Sequence, residues 1–355
     1  MAALTVVAAV SMVAALAGVA GANPKPTPSP SPSSSPSSSP PPGAAAYSVT
    51  DLGSLGGGYT EGLAINDNGQ VTGYSSIAAT IPTSGCCGNC YGGKRIPCTT
   101  HPTHAFVWSN GTMTDLGTLG GNYSQGLSIN LSGQVVGSVD TATGSSSFLW
   151  NGTKMTALGG LGAYGINDAG QIAGACSDST GSHACVDSNG TITQQPAPSN
   201  LSGCGAIAIN NNGQVIGGCG DTSGNQHAVL WRNGTSTDLG TFGGPNAVAT
   251  AINDLGQVAG YSMTSSYAQH GFLWSNGTMT DLGNNFIAAA VNDSGVVVWS
   301  DLIYSGGTVQ NLNNLIPAGS GYQIQYAKAI NDKGQIVADA YTPTYQTHTL
   351  LLTPH

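Results

Sequence analysis

One phrase, Ile or Val followed by Asn-x-x-Gly, returns seven times in this chain, with its Asn at Asn66, Asn130, Asn167, Asn210, Asn253, Asn292 and Asn331. The successive spacings are 64, 37, 43, 43, 39 and 39 residues. Only the first is long, and a Cys-rich insertion at 77–103 accounts for the excess. A unit of about 40 residues cannot bury its apolar face alone, so seven of them must stack on one another. Short Val/Ile/Leu/Phe runs alternate with Gly-, Asn- and Ser-rich punctuation, and Glu occurs once, at Glu61. That pattern is all-β.

Four strands can be read in each unit. In the second copy they are Ser124–Ile129, Gln134–Val139, Ser147–Trp150 and Lys154–Leu158, here called A to D. Asn-x-x-Gly joins A to B. Asn-Gly pairs at Asn110, Asn151, Asn189, Asn233 and Asn276 join C to D, because Asn-Gly accepts the positive φ angles of a tight hairpin. Strand A is rich in small residues, as in 247–251 and 288–290, which suits strands that converge on a crowded axis. The reading is a seven-bladed β-propeller of four-stranded antiparallel blades, with an open β-solenoid as the alternative. The segment 47–53 matches strand D yet precedes the first strand A, whereas the last unit stops after a strand C, 349–352. If that N-terminal strand completes the seventh blade, the ring closes and no edge stays open.

Ahead of this body lie two segments. Residues 1–22 carry no charge and end in Ala20-Gly21-Ala22, small residues that suit a signal-peptidase site after Ala22. No basic region precedes them, so a retained N-terminal anchor is the alternative, and it would be the only membrane contact. Residues 23–46 are a Pro/Ser-rich linker, a stalk or spacer. The repeat body is 47–355.

The strand C phrase His104-Ala105-Phe106-Val107-Trp108, continued by 110–121, returns at 226–231 and 269–274. It resembles the repeat of the bacterial extracellular HAF-repeat family, and 312–321 is similar to the way such proteins end. The resemblance spans 47–355. It implies secreted or cell-surface placement and a repeat β-fold, with no reaction to carry over. The third unit departs from it at 183–187 and the sixth at 296–299.

Charged residues make up 6% of the chain and the net charge is -9, so phosphate attraction has no basic surface to act through and nucleic acid is not a partner. Eight cysteines in an exported chain read as disulfides. Cys176 and Cys185 lie symmetrically about a B–C hairpin, and Cys204 and Cys219 about an A–B hairpin. Cys86, Cys87, Cys90 and Cys98 then form two local bridges within the insertion, with a zinc set of Cys87, Cys90, Cys98 and His101 as the alternative. No cofactor is called for.

Repeated acids and histidines read as scaffold. Asp67, Asp168, Asp254, Asp293 and Asp332 sit in tight turns, without the Asp-x-Asp spacing of a calcium loop. Asp51, Asp115, Asp238 and Asp281 recur in Thr-Asp-Leu-Gly. His104, His183, His227, His270 and His348 open strand C one per blade, which suits strand-end hydrogen bonds. Trp108, Trp150, Trp231 and Trp274 read as inter-blade core. Function is then expected where repetition fails, on the B–C connections. Tyr91, Lys94 and Arg95 of the insertion are candidate ligand contacts, with Tyr261 and Tyr267 of the fifth unit and further Tyr at 341 and 345. No catalytic residue is assigned. The function expected is a non-catalytic binding or adhesion module whose partner is a glycan or surface protein. The alternatives are a polysaccharide-active hydrolase or lyase, for which Asp140, Asp178, Asp221, Asp301 and Asp339 are the non-repeat acids, and a structural surface-assembly protein. The sequence leaves oligomeric state open.

Overall fold

The computed structural model describes residues 46–86, 97–284 and 287–355. Seven four-stranded antiparallel sheets follow one another along the chain and close into a propeller. Each sheet has the order A-B-C-D from the axis outward. The second blade is typical, with strands Gly120–Ile129, Val135–Thr141, Gly144–Trp150 and Met155–Leu158, each within a few residues of its expected bounds. The N-terminal strand Tyr47–Asp51 pairs antiparallel with Thr347–Pro354, from Tyr47 opposite Pro354 to Asp51 opposite Leu350. It is strand D of the seventh blade. The first and last of the described strands thus share one sheet, which joins the last blade to the start of the ring.

Packing lies between blades rather than within them, because each residue in a strand faces one neighbouring blade or the other. Phe106, Phe148 and Phe272, in the C strands of blades 1, 2 and 5, have no exposed surface. Trp108, Trp231 and Trp274 are buried too, while Trp150 is half-buried. The Trp231 indole N–H donates to the Pro196 carbonyl at 2.7 Å, satisfying the one polar atom that burial would otherwise strand.

The repeated His and Asp explain each other. His104 Nδ1 lies 2.9 Å from Asp115, His227 Nδ1 2.8 Å from Asp238, His270 Nδ1 2.8 Å from Asp281, and His348 Nδ1 2.7 Å from Asp51. Each pair ties the start of strand C to the end of strand D. In the same Asp-Leu-Gly phrase, the Gly N–H two residues on donates to the carboxylate. Burial opposes ionisation of Asp115, yet the His104 and Gly117 hydrogen bonds hold its carboxyl below the usual range.

Both expected pairs in the body are disulfides, Cys176–Cys185 and Cys204–Cys219. The second runs straight across strands A and B of blade 4, with Cα atoms 4.1 Å apart. The first is diagonal. Its hairpin turns at Ser179–Thr180, so Cys176 faces His183 while Cys185 faces Gly174, and the Cα atoms are 5.9 Å apart. Such bonds persist in oxidising compartments. In the insertion, Ile81–Cys86 pairs with Pro97–Thr100. Cys87 and Cys90, and the side chains of Cys86 and Cys98, lie outside the described residues, as do residues 1–45, on which the expected signal peptide or anchor and most of the expected linker fall. Among the described residues no helix is long and apolar enough to cross a membrane.

Candidate binding face

The two faces of the ring differ in what they leave unused. On one, the seven Asn-x-x-Gly turns converge on the axis. Each Asn donates its side-chain amide to the backbone carbonyl of the next blade's Asn, from Asn66 to Asn130 and onward to Asn331, which returns to Asn66, at 2.8 to 3.1 Å. Seven such bonds close a circle. In every blade but the sixth, the amide also donates to a Gln four residues on, as from Asn66 to Gln70. The Asn side-chain oxygen accepts that Gln's backbone N–H. A buried Asn is therefore fully satisfied. The sequence reads these as turns alone, although the Gln that follows the Gly in six of the seven units is a visible sign that each such Asn has a side-chain partner.

Around the circle runs a second set of bonds, from the backbone N–H of one turn to the acid or amide of the next, as from Asp254 to Asp293 and from Asp293 to Asp332. The set breaks where Leu131 stands in place of Asp. Burial and the neighbouring Asp67, Asp293 and Asp254 raise the Asp332 pKa. The cavity enclosed is small, about 180 Å³, and among the described residues no group of three acids, His or Cys is placed to hold a metal ion.

The opposite face carries the B–C hairpins, and here side chains are left free. In blade 5 the turn closes with the Thr264 N–H donating to Ala268 and the Tyr267 N–H to Thr264. In blade 7 it closes the same way, with Thr342 donating to Gln346 and Tyr345 to Thr342. Both tyrosines sit in the left-handed region, at φ 64° and 59°. Blade 4 makes the matching turn, from Asp221 to Asn225, with Gly224 at φ 86°. Tyr267 and Tyr345 are 74% and 85% exposed. Large aromatics therefore occupy a conformation that favours glycine, with almost no packing in return.

Of the candidate contacts, Tyr267 lies at a hairpin tip as expected. Tyr261 does not. It is in strand B of blade 5 (Val258–Thr264), half-buried opposite Gly271, and burial raises its pKa. The hairpin turn is confined to the residues between Thr264 and Gln269, shorter than the loop 261–270 that the sequence suggests. Tyr91, Lys94 and Arg95 lie outside the described residues. His101 of the insertion places Nδ1 2.9 Å from the Ile77 carbonyl and 3.1 Å from that of Ala79.

Blade 6 supplies a concavity on this same face. Its strands B and C (Val297–Trp299 and Leu302–Ser305) turn sharply at Ser300–Asp301, with Ser300 at φ 46°. The hairpin has three residue pairs, against six in blade 5. The connection onward to blade 7 is long instead. It opens with a 3-10 turn, Leu312–Asn314, buries Leu312 and Ile316, and is fastened where the Asn313 side chain bonds the Ile324 backbone in both directions. A short blade beside a long loop leaves a groove of about 710 Å³, with Asp301, Asn314, Tyr322, Gln323, Tyr341 and Tyr345 among its lining residues.

A third feature lies where the last blade meets the first. Lys328 of strand A in blade 7 places Nζ 2.8 Å from Glu61 Oε1 and 3.4 Å from Asp339 Oδ2. Tyr59 and Tyr74 both donate hydroxyls to Glu61 Oε2. The Thr349 hydroxyl lies 2.9 Å from Asp339 Oδ1. Burial raises the Tyr74 and Tyr59 pKa values, and the Glu61 charge adds to it. Burial opposes the charge on Lys328, but Asp339 and Glu61 outweigh it and its pKa is raised. The Asp339 carboxyl is pushed up to about 7, chiefly by burial. This is the acid pair that sequence reading did not find, because Glu61 and Asp339 are far apart in the chain and meet only when the ring closes. Glu61 is 1% and Asp339 5% exposed, with an ammonium between them. That arrangement is a buried ion triad, not an acid and a base facing a substrate.

A model of DUF3466, a protein family of unknown function, matches residues 177–351, just under half of the chain. Among curated proteins none matches. The β-propeller domain of the Trilobed protease from Pyrococcus furiosus is similar in structure, with TM-score 0.51 at 8% identity over 82% of this chain and 94% of that one. That domain is described as having an open velcro topology, whereas here the first strand pairs with the last. An acylaminoacyl peptidase from Pyrococcus horikoshii matches with TM-score 0.49 at 10% identity, over 84% of this chain and 52% of that one. TolB from Acinetobacter baumannii matches with TM-score 0.44 at 10% identity, over 71% and 60%. The chain thus spans only about half to three-fifths of the last two. At such identities the likeness concerns the fold alone.

Proposed function

We propose that this chain is an exported, non-catalytic binding module that recognises its partner, a glycan or a surface protein, through the B–C face. One observation carries the reading: Tyr267 and Tyr345 stand almost fully exposed in a left-handed backbone where blade 4 uses glycine. A non-glycine residue held there costs on the order of 1–3 kcal/mol. Nothing in the packing returns that cost, so a ligand is the natural beneficiary. Tyrosine presents an apolar ring and a polar hydroxyl, which suits contact with sugars or protein on a surface of few charges. The resemblance to extracellular HAF-repeat proteins and the two disulfides support placement outside the cytoplasm, secreted or at the cell surface.

The test is a return to glycine. The double variant Tyr267→Gly, Tyr345→Gly should melt at or above the parent temperature and lose binding to cell-surface material and immobilised polysaccharide. Unchanged binding by a folded double variant overturns the reading.

A further inference from the structure

We propose that the groove between blades 6 and 7 is a binding site for a neutral oligosaccharide, an assignment that rests on the loop-face reading above and gives it a ligand class. Three observations carry it.

The first is shape. A concavity of about 710 Å³ falls within the range of about 300–1,000 Å³ typical of ligand sites. It is built rather than accidental. Its floor is fastened by the Asn313–Ile324 pair of hydrogen bonds, by Leu312 and Ile316 in the core, and by the Leu315 carbonyl, which accepts the N–H groups of both Ala46 and Tyr47.

The second is the chemistry of the lining. Tyr345 and Tyr341 are 85% and 36% exposed at the rim. Tyr322 is held in place, its hydroxyl donating to Asp51 Oδ2 at 2.9 Å and its ring edge-on to His348 at 5.8 Å. Amides share the lining with these rings. The side chains of Asn314 and Gln323 hydrogen-bond to no described residue, so each offers two donors and an acceptor to a ligand. Rings that take the C–H face of a sugar, together with amides that take its hydroxyls, match a carbohydrate better than an apolar ligand.

The third is charge. Among the described residues no Lys, Arg or His lines the groove, and Asp301 is the one carboxylate. That carboxylate accepts the Asn311 side-chain amide at 2.6 Å and keeps lone pairs for a hydroxyl. An anionic ligand such as a uronate or phosphorylated glycan would meet repulsion with no compensating cation. A neutral chain would not.

The full chain should be titrated by calorimetry with cello-, xylo-, manno- and malto-oligosaccharides, and with an oligogalacturonate as the anionic counterpart. At least one neutral series should bind, and the oligogalacturonate should not. Tyr345→Gly and Tyr341→Ala should each weaken that binding roughly tenfold, as loss of one stacking ring does, whereas Tyr267→Gly should leave it within about twofold because that residue lines no part of the groove. Preference for the anionic chain overturns the charge argument and the proposal. Binding lost with Tyr267→Gly but kept in both groove variants overturns the groove while leaving the loop-face reading standing. A parent chain that adheres to cells through the B–C face yet binds none of the oligosaccharides overturns the ligand class alone. Because Tyr345 and Tyr341 are exposed, circular dichroism of these variants should match the parent, which keeps a loss of binding interpretable.

Discussion

At the residue scale, the ion triad is where a single substitution should act most strongly. Removing one member of a buried charge set leaves the others uncompensated, which typically costs about 3–5 kcal/mol. Lys328→Met should therefore lower stability by that order, since Glu61 and Asp339 would be left side by side, and a denaturant titration reads it directly. Asp339 also makes stability depend on pH. Its folded carboxyl titrates near 7 and the unfolded one at the ordinary value of 3.8, so the folded state keeps a proton that the unfolded chain gives up. This group's contribution to stability should fall as pH rises from about 4 to about 7 and stay flat above that. Melting temperatures at pH 4.5 and 7.5 should differ less in Asp339→Asn than in the parent. An equal difference in the two proteins would refute the assignment.

At the scale of the element, two strands and two bridges carry predictions. Deleting Tyr47–Gly53 exposes the edge of Thr347–Pro354 and removes the Asp51 partner of both His348 and Tyr322. The truncated chain should aggregate or melt well below the parent. The Cys204–Cys219 bridge closes a loop of 15 residues, for which the chain-entropy model gives about 3 kcal/mol. Replacing both with Ala should lower stability by up to that amount, more than the loss of Cys176–Cys185, which closes a loop of 9. A nonreduced peptide digest should find both bonds. It would also settle whether Cys86, Cys87, Cys90 and Cys98 pair among themselves.

For the whole molecule, the Asn circle is the feature no single blade contains. Each amide bonds the next blade, so one substitution breaks one bond of seven and leaves a neighbouring carbonyl unsatisfied. Asn210→Ala should lower stability by about 1–3 kcal/mol, and Asn253→Ala, next in the circle, should combine with it non-additively in a double-mutant cycle. Strict additivity would make the circle seven independent contacts. Removing residues 80–100 should leave the ring folded with the same melting cooperativity, because the insertion leaves and re-enters between strands B and C of one blade. Its effect on binding then reports whether Tyr91, Lys94 and Arg95 contribute.

Asn-x-x-Gly turns at seven near-equal steps and a strand D displaced to the N-terminus pointed to a closed ring over an open solenoid, and the pairing of Tyr47–Asp51 with Thr347–Pro354 decides between them. Local phrases likewise determined the strands, the hairpins and the pairing of His104, His227 and His270 with Asp115, Asp238 and Asp281, because those contacts join residues 11 apart in one blade. Other features exist only once blades meet. The Asn circle, the Lys328–Glu61–Asp339 triad and the groove each join residues of different blades, some more than 260 positions apart. The repeat marks the Asn of the circle but not which carbonyl each one meets, no periodic signal marks the triad, and the groove arises because one blade is short and the next connection long, an irregularity whose meaning depends on what stands beside it. Tyr261 shows the same limit on a smaller scale. At the start of the polar stretch 261–270 it reads as loop, and only strand pairing decides that its ring is half-buried.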